Sequence, residues 1–230
     1  FLNPKRDIEQ NTIVTHNVLE AMRKNRIKRI IFASTGSIYG EPEIFPTKEN
    51  NPFPIQTSLY GSSKLASEAL IQSYCSGFGF NSIIFRFVSI MGSRYTHGHL
   101  FDFYKQLLKN KKKLNVLGDG LQKKSYLNVN DCISAMEMGL KKNNKQVEIY
   151  NLGTNKFITV KYSIKNLLKV LKLKPKVSYQ SGKRGWIGDS PKIYLDTVKI
   201  RKTGWKPKKT IEESIEETIN FFNQNKWLFK

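Results

Sequence analysis

The stretch "YGSSK" sets Tyr60 and Lys64 four residues apart, so in a helix both side chains share one face. A free phenol loses its proton near pH ~10, too high for a base at neutrality. A neighbouring ammonium favours the phenolate and lowers that value. The same spacing recurs at Tyr179 and Lys183 in "YQSGK", but only the first pair opens an amphipathic pattern just after a buried-strand run ending "FASTGSIYG" (32–40). There Thr35 is placed to share a hydrogen bond with a substrate alcohol. The phenolate would take the alcohol proton while hydride leaves for an oxidised nicotinamide, whose positive charge helps ionise the tyrosine.

A second candidate is "SGKRGWIGD" (181–189), in which Gly182, Gly185 and Gly188 repeat at three-residue spacing. A dinucleotide fingerprint needs a strand before it and a helix N-terminus behind it to meet the pyrophosphate. "KVSYQSG" suits a short strand, yet "DSPKIY" opens no helix, because Pro191 disfavours helical geometry at Ser190. No acidic ribose ligand stands ~20 residues further on within a βαβ unit. Two readings stay open: a surface turn, or a loop that holds phosphate with Lys183 and Arg184.

The elements that must position these residues follow from periodicity. Helical spacing predicts helices over 8–25, 58–76, 99–109, 129–142, 161–172 and 210–225. Apolar runs predict strands at 28–34, 81–87, 114–117, 126–129 and 147–153, with a Gly-Asp-Gly turn at 118–120. Helix alternating with buried strand implies an α/β fold built on a doubly wound, Rossmann-like parallel sheet, with a smaller interleaved C-terminal region. The expected division assigns 1–90 and 129–153 to the sheet domain, and 91–128 and 154–230 to a substrate-binding region.

At 230 residues and 39% hydrophobic, the chain can bury a sizeable core. No run approaches ~18 apolar residues, so no membrane partner is expected. Cys75 and Cys132 form neither a disulfide framework nor a metal site, and the expected compartment is the cytoplasm. The formal charge of +21 is spread over lysine clusters at 109–113, 141–145 and 206–209 and reads as solvated faces. No nucleic-acid partner is expected, since no recognition pattern accompanies the charge. His97 and His99 in "HGH" lack companion ligands for a metal, and none is expected. Trp205 and Trp227 read as core or edge packing, and Asp131 as an early-turn acid.

Taken together, "NTIVTHNVLEAMRKNRIKRIIFASTGSIYG" (11–40), "YGSSKLASEALI" (60–71), "FRFVSIMGSR" (85–94), "LGDGLQKKSYLNVNDC" (117–132) and "RGWIGDSPKIYLDTVKIRKTGWKP" (184–207) resemble the NAD-dependent epimerase/dehydratase family of extended short-chain dehydrogenases. Within it the chain is most similar to UDP-glucose 4-epimerase-like proteins. The resemblance implies Tyr60 as catalytic acid and base, Lys64 as the ribose-holding residue that tunes it, and Thr35 as the group orienting the sugar hydroxyl. NAD is the implied cofactor, with Asn11, Arg86 and Val88 beside it. Ser89, Arg94, Lys124, Arg184 and Asp189 are the implied contacts of a nucleotide-sugar substrate, a UDP-hexose. It also implies a homodimer through helices 8–25 and 58–76.

The departures shape the expected reaction. Ser89 stands where the family often has Asn, and Lys124 where it has Arg. Gly36 and Ser37 replace the Asp-Glu pair of 4,6-dehydratases, and decarboxylases tend to carry Glu at the place of Ser37, so simple 4-epimerisation is the expected chemistry. The resemblance further implies a fingerprint half of roughly 80–90 residues before the position of Phe1. The sheet is therefore expected to be N-terminally incomplete with an unpaired edge, and NAD binding by these residues alone to be poor. The alternative expectation is a catalytically incompetent remnant, or a partner subunit that binds nucleotide sugar without its own NAD site.

Overall fold

The computed structural model describes residues 3–52, 55–182, 185, 190 and 192–229. Helix α1 (Pro4–Asp7) passes through a π-helical segment, Ile8–Ile13, into α2 (Val14–Lys24), so one continuous helix covers the expected span 8–25. Strand β1 (Arg29–Thr35) ends in a tight 3-10 turn, Gly36–Tyr39, and a loop then leads to α3 (Leu59–Phe78). Ser58 caps α3 by accepting from the Gly61 amide at 3.2 Å. Gly79 closes the helix in the left-handed conformation, at φ 65°.

Strand β2 (Asn81–Phe87) is buried at five consecutive positions, as a central parallel strand must be. It is followed by β3 (Ser89–Met91), α4 (His99–Lys109), β4 (Lys113–Val116), β5 (Lys123–Lys124), β6 (Tyr126–Asn128) and α5 (Val129–Lys142). Strand β7 (Val147–Leu152) then returns to the first sheet, whose order is β1–β2–β7, all parallel. Alternating side chains give that sheet two apolar faces. Ile84 joins Leu19, Ile71 and Cys75 beneath α2 and α3, while Phe85 joins Cys132, Ala135 and Tyr150 beneath α5.

The remaining chain supplies β8 (Ile158–Thr159), α6 (Val160–Leu171), β9 (Lys176–Tyr179), β10 (Lys192–Ile193), α7 (Val198–Arg201) and α8 (Ile211–Gln224). A third apolar cluster draws all its fully buried members from 91–128 and 154–230, among them Phe103, Leu114, Ile164, Ile215 and Phe222. Leu195, Ile200 and Trp205 cross over and pack in the sheet cluster instead, with the Trp205 indole donating to Ser134 Oγ at 3.0 Å. The C-terminal chain is thus interleaved with the sheet. Trp227 departs from the packing expectation: it is 65% exposed and donates to Asn225 Oδ1.

Among the described residues β1 pairs only with β2 and forms a sheet edge, and Ile8, Ile13, Val14 and Val18 of the first helix and Ile31 of β1 are exposed. No helix among them is long and apolar enough to cross a membrane.

Candidate active site

The C-terminal end of β1, the turn behind it and the first turn of α3 bring together Thr35, Tyr60 and Lys64. This meeting depends on Gly61. A Cβ there would stand 2.7 Å from the Ser37 carbonyl oxygen, so only glycine lets α3 lie this close to the turn. The turn is fixed in its own right, because Thr35 Oγ1 accepts from the Ser37 amide at 3.1 Å.

Thr35 lies beside the Tyr60 phenol and acts on its ionisation, while its own hydroxyl donates to Ser37 Oγ at 3.2 Å. Although Tyr60 is 41% exposed, desolvation pushes its phenol above the usual range, and Thr35 works in the opposite direction. Lys64 is not directed at Tyr60 here. Its ammonium donates to the Ala33 carbonyl at 3.1 Å and lies 4.7 Å above the centre of the Phe32 ring. Desolvation lowers its proton affinity. An ammonium has three donors, and only one is engaged by Ala33. The half-buried Lys64 therefore suits a pair of sugar hydroxyls, such as a cofactor ribose, brought to the sheet's C-terminal edge. The residues present fit the nicotinamide end of NAD. A glycine cradle for its pyrophosphate is not found among the described residues.

Asn11 sits in the π-helical segment, a deformation that widens the helix toward α3. Its amide donates to Ser63 Oγ at 2.9 Å, and Ser63 in turn donates to the Tyr60 carbonyl oxygen at 2.9 Å. Asn11 therefore braces the turn between Tyr60 and Lys64. Val88 is a buried member of the sheet core whose amide donates to the Leu152 carbonyl. Arg86, expected beside the cofactor, lies one layer down at 6% exposure. Its guanidinium donates to Glu68 at 2.7 Å and to the Tyr39 hydroxyl at 2.7 Å. That bonding directs its side chain into the sheet and not toward a ligand.

The substrate-side residues are spread wider. Ser89 is half-buried at the start of β3, where it pairs with Tyr126, and Arg94 is exposed in a left-handed turn at φ 63°. Arg94 and His97 line a shallow groove with Ile90, Tyr95 and Asn130. Lys124 pairs with Ile193 and Ile158 across a three-stranded sheet. Arg184 and Asp189 lie outside the described residues, as do Lys183, Trp186 and Gly188 of the glycine-spaced loop.

A cavity of about 370 Å³ opens between α4, β4 and the start of α6, lined by His99, Phe103, Asn115, Leu117, Gln122 and Gly185. His99 donates or accepts at Ser163 Oγ, 2.7 Å away. Burial and the nearby Lys124 push its pKa down to about 3, so it is neutral across the physiological range. Gln122 is 4% exposed, and among the described residues neither its amide oxygen nor its nitrogen has a partner. A buried amide left unpaired is costly, so a donor and an acceptor are on offer to whatever fills the cavity. Sequence reasoning passed over Gln122; its one signal was a polar side chain between the Gly-Asp-Gly turn and an apolar strand. The Glu68–Arg86 pair was also missed, although Glu68 falls four residues after Lys64 on the inward face of α3.

An α/β fold with a Tyr–Lys pair beside a strand-end threonine defines a dehydrogenase-type class of protein. The comparisons make it specific. The profile of the NAD dependent epimerase/dehydratase family matches residues 1–153, and the chain belongs to that family. A putative UDP-glucose 4-epimerase of Methanocaldococcus jannaschii is 35% identical over 97% of this chain and 72% of its own length. The human dTDP-D-glucose 4,6-dehydratase is 30% identical over 94% of this chain, which spans 62% of that protein. Among solved structures, the UDP-glucose 4-epimerase of Thermotoga maritima with UDP-glucose superposes with a TM-score of 0.86 at 29% identity, over 96% of this chain and 72% of that one.

Proposed function

We propose that the protein is a nucleotide-sugar 4-epimerase that works through a 4-keto intermediate on a UDP-hexose, with NAD as cofactor. The observation that carries this is the close approach of the first turn of α3 to the end of β1 at Gly61, which sets Tyr60 beside Thr35 with Lys64 one helical turn away. Bound NAD would supply hydride removal from the sugar C4 and hydride return. The protein's own groups handle the proton and the geometry. Thr35 aligns the C4 hydroxyl, and Tyr60 takes its proton and later gives one back. Lys64 holds the cofactor ribose, and the positive charge gathered there draws the phenol down toward neutrality. The cavity at Gln122 receives the nucleotide base, whose imide edge offers the complementary donor and acceptor. Arg94, Lys124, Arg184 and Asp189 contribute on the diphosphate and ribose side, with Ser89 near the sugar.

A 4,6-dehydratase reading has the human relative in its favour. It lacks an acid–base pair after Thr35, where Gly36 and Ser37 form the 3-10 turn. Supplying UDP-glucose or dTDP-glucose with NAD to the full-length protein and identifying the product separates the two. UDP-galactose is expected; a 4-keto-6-deoxy product would establish the dehydratase instead.

The exposed apolar side chains of the first helix, Ile8, Ile13, Val14 and Val18, support a homodimer through this helix and α3. Sedimentation at micromolar concentration should give twice the chain mass, and a monomer would refute this pairing.

A further inference from the structure

Beneath the catalytic edge lies a polar row that the proposed chemistry does not itself use. Ser34, Arg86 and Asn151 are register partners across β1, β2 and β7, one residue in from the Thr35–Phe87–Leu152 row. All three are buried, at 3%, 6% and 0% exposure. A polar row in the middle of a sheet core is unfavourable unless every group is paired. Here the pairing is dense. Glu68, fully buried on α3, accepts from Ser34 Oγ and from Arg86 Nε and Nη2, the last at 2.7 Å. Arg86 also donates to the Tyr39 hydroxyl, which itself donates to Asn151 Oδ1 at 2.8 Å. Asn151 Nδ2 donates to the Thr47 carbonyl oxygen at 2.9 Å.

What this row touches is informative. Ser34 is flanked by Ala33, whose carbonyl receives Lys64, and by Thr35, which meets Tyr60. Glu68 stands one helical turn beyond Lys64 on α3. The bond from Ser34 to Glu68, beside that from Lys64 to the Ala33 carbonyl, therefore pins the end of β1 to the helix that carries both chemical groups.

We infer that Ser34, Glu68 and Arg86 are positioning residues: they lock the end of β1 against α3 and so hold Thr35 in contact with Tyr60. The inference rests on the reading of Tyr60 as the proton-transfer group. The charged and polar groups that act on Tyr60 are Thr35 from β1 and Asp7 from α1; Lys64, on its own helix, is held by the Ala33 carbonyl. Of these, Thr35 is the one whose placement Ser34 governs. A hydroxyl beside the phenol favours its ionised form, so loosening β1 must make Tyr60 harder to ionise.

The test is Ser34→Ala, which removes the tie and leaves the Glu68–Arg86 pair intact. 3-Fluorotyrosine placed at position 60 reports ionisation by its 19F shift and needs no turnover. The expected result is a titration midpoint raised by about half a pH unit or more, with the melting temperature within a few degrees of the parent. Ser34→Thr, which restores the hydroxyl, should recover the parent midpoint. In the turnover assay, Ser34→Ala should lower kcat about tenfold with KM within about twofold, the pattern of a group that aids only the transition state. An unmoved midpoint in a folded Ser34→Ala protein would overturn the inference, as would a midpoint that moves but is not recovered by Ser34→Thr. Lack of turnover by the parent protein counts against the epimerase reading alone, since the 19F titration still reports on the tie.

Discussion

At the residue scale, the proposed chemistry rests on a phenol whose environment raises its proton affinity. Tyr60 is protonated at neutrality in this structure, with Thr35 as the one group shown to oppose its desolvation. Lys64 must turn from the Ala33 carbonyl toward a ribose before its charge bears on the phenol. His99 gives a separate prediction. Its folded pKa of about 3 lies below the unfolded value near 6.5. Between those values the unfolded chain holds a proton that the native chain refuses, so stability is complete above pH ~6.5 and falls as the pH drops. Urea denaturation at pH 7 and pH 5 should show about 1–2 kcal/mol more acid sensitivity in the parent than in His99→Gln. Equal sensitivity would mean that His99 is not buried as a neutral ring. Tyr60, Lys64 and Thr35 were legible in sequence because their spacing and strand–loop–helix context are local. Gln122 was not, since its burial depends on elements distant in the sequence, α4 and the start of α6 among them.

At the element scale, two of the contacts that hold α3 to the sheet and its turn are Gly61 against Ser37, and Glu68 against Arg86 and Ser34. Gly61→Ala places a methyl group 2.7 Å from a backbone oxygen that has little room to retreat. A loss of about 1–3 kcal/mol is expected, together with reduced turnover as the helix start lifts. Glu68→Gln leaves the Arg86 guanidinium buried without its counter-ion, and breaking such a pair should destabilise by about 3–5 kcal/mol. The exposed Arg23–Glu20 pair is the contrast, and Glu20→Gln should leave the denaturation midpoint unchanged. The long helices and the β1, β2 and β7 strands were readable to within a few residues, since their periodicity spans whole elements. The strands β3, β5, β8 and β10 are only two or three residues long and exist through pairing with distant partners. No local pattern announces them. The π-helical segment was equally silent, because its cause is the packing of Asn11 and Thr12 against Ser63.

At the scale of the whole molecule, the C-terminal chain packs on the sheet cluster at Leu195, Ile200 and Trp205 and returns to its own cluster at Ile211. Composition located neither crossing nor cavity. It did reveal a net charge of +21, which must repel itself in the compact state. Raising NaCl from ~0.01 to ~0.15 M shortens the screening length from ~30 to ~8 Å, so the melting temperature should rise by a few degrees. A fall would indicate that specific ion pairs outweigh the general repulsion. The central claim is that Tyr60 moves the proton of a nucleotide-sugar hydroxyl. The most direct measurement is interconversion of UDP-glucose and UDP-galactose by the full-length protein carrying Tyr60→Phe, with NAD and nucleotide-sugar binding measured alongside. The account predicts a kcat lowered about 10²–10⁴-fold with binding retained. Turnover nearly undiminished in that variant would contradict it.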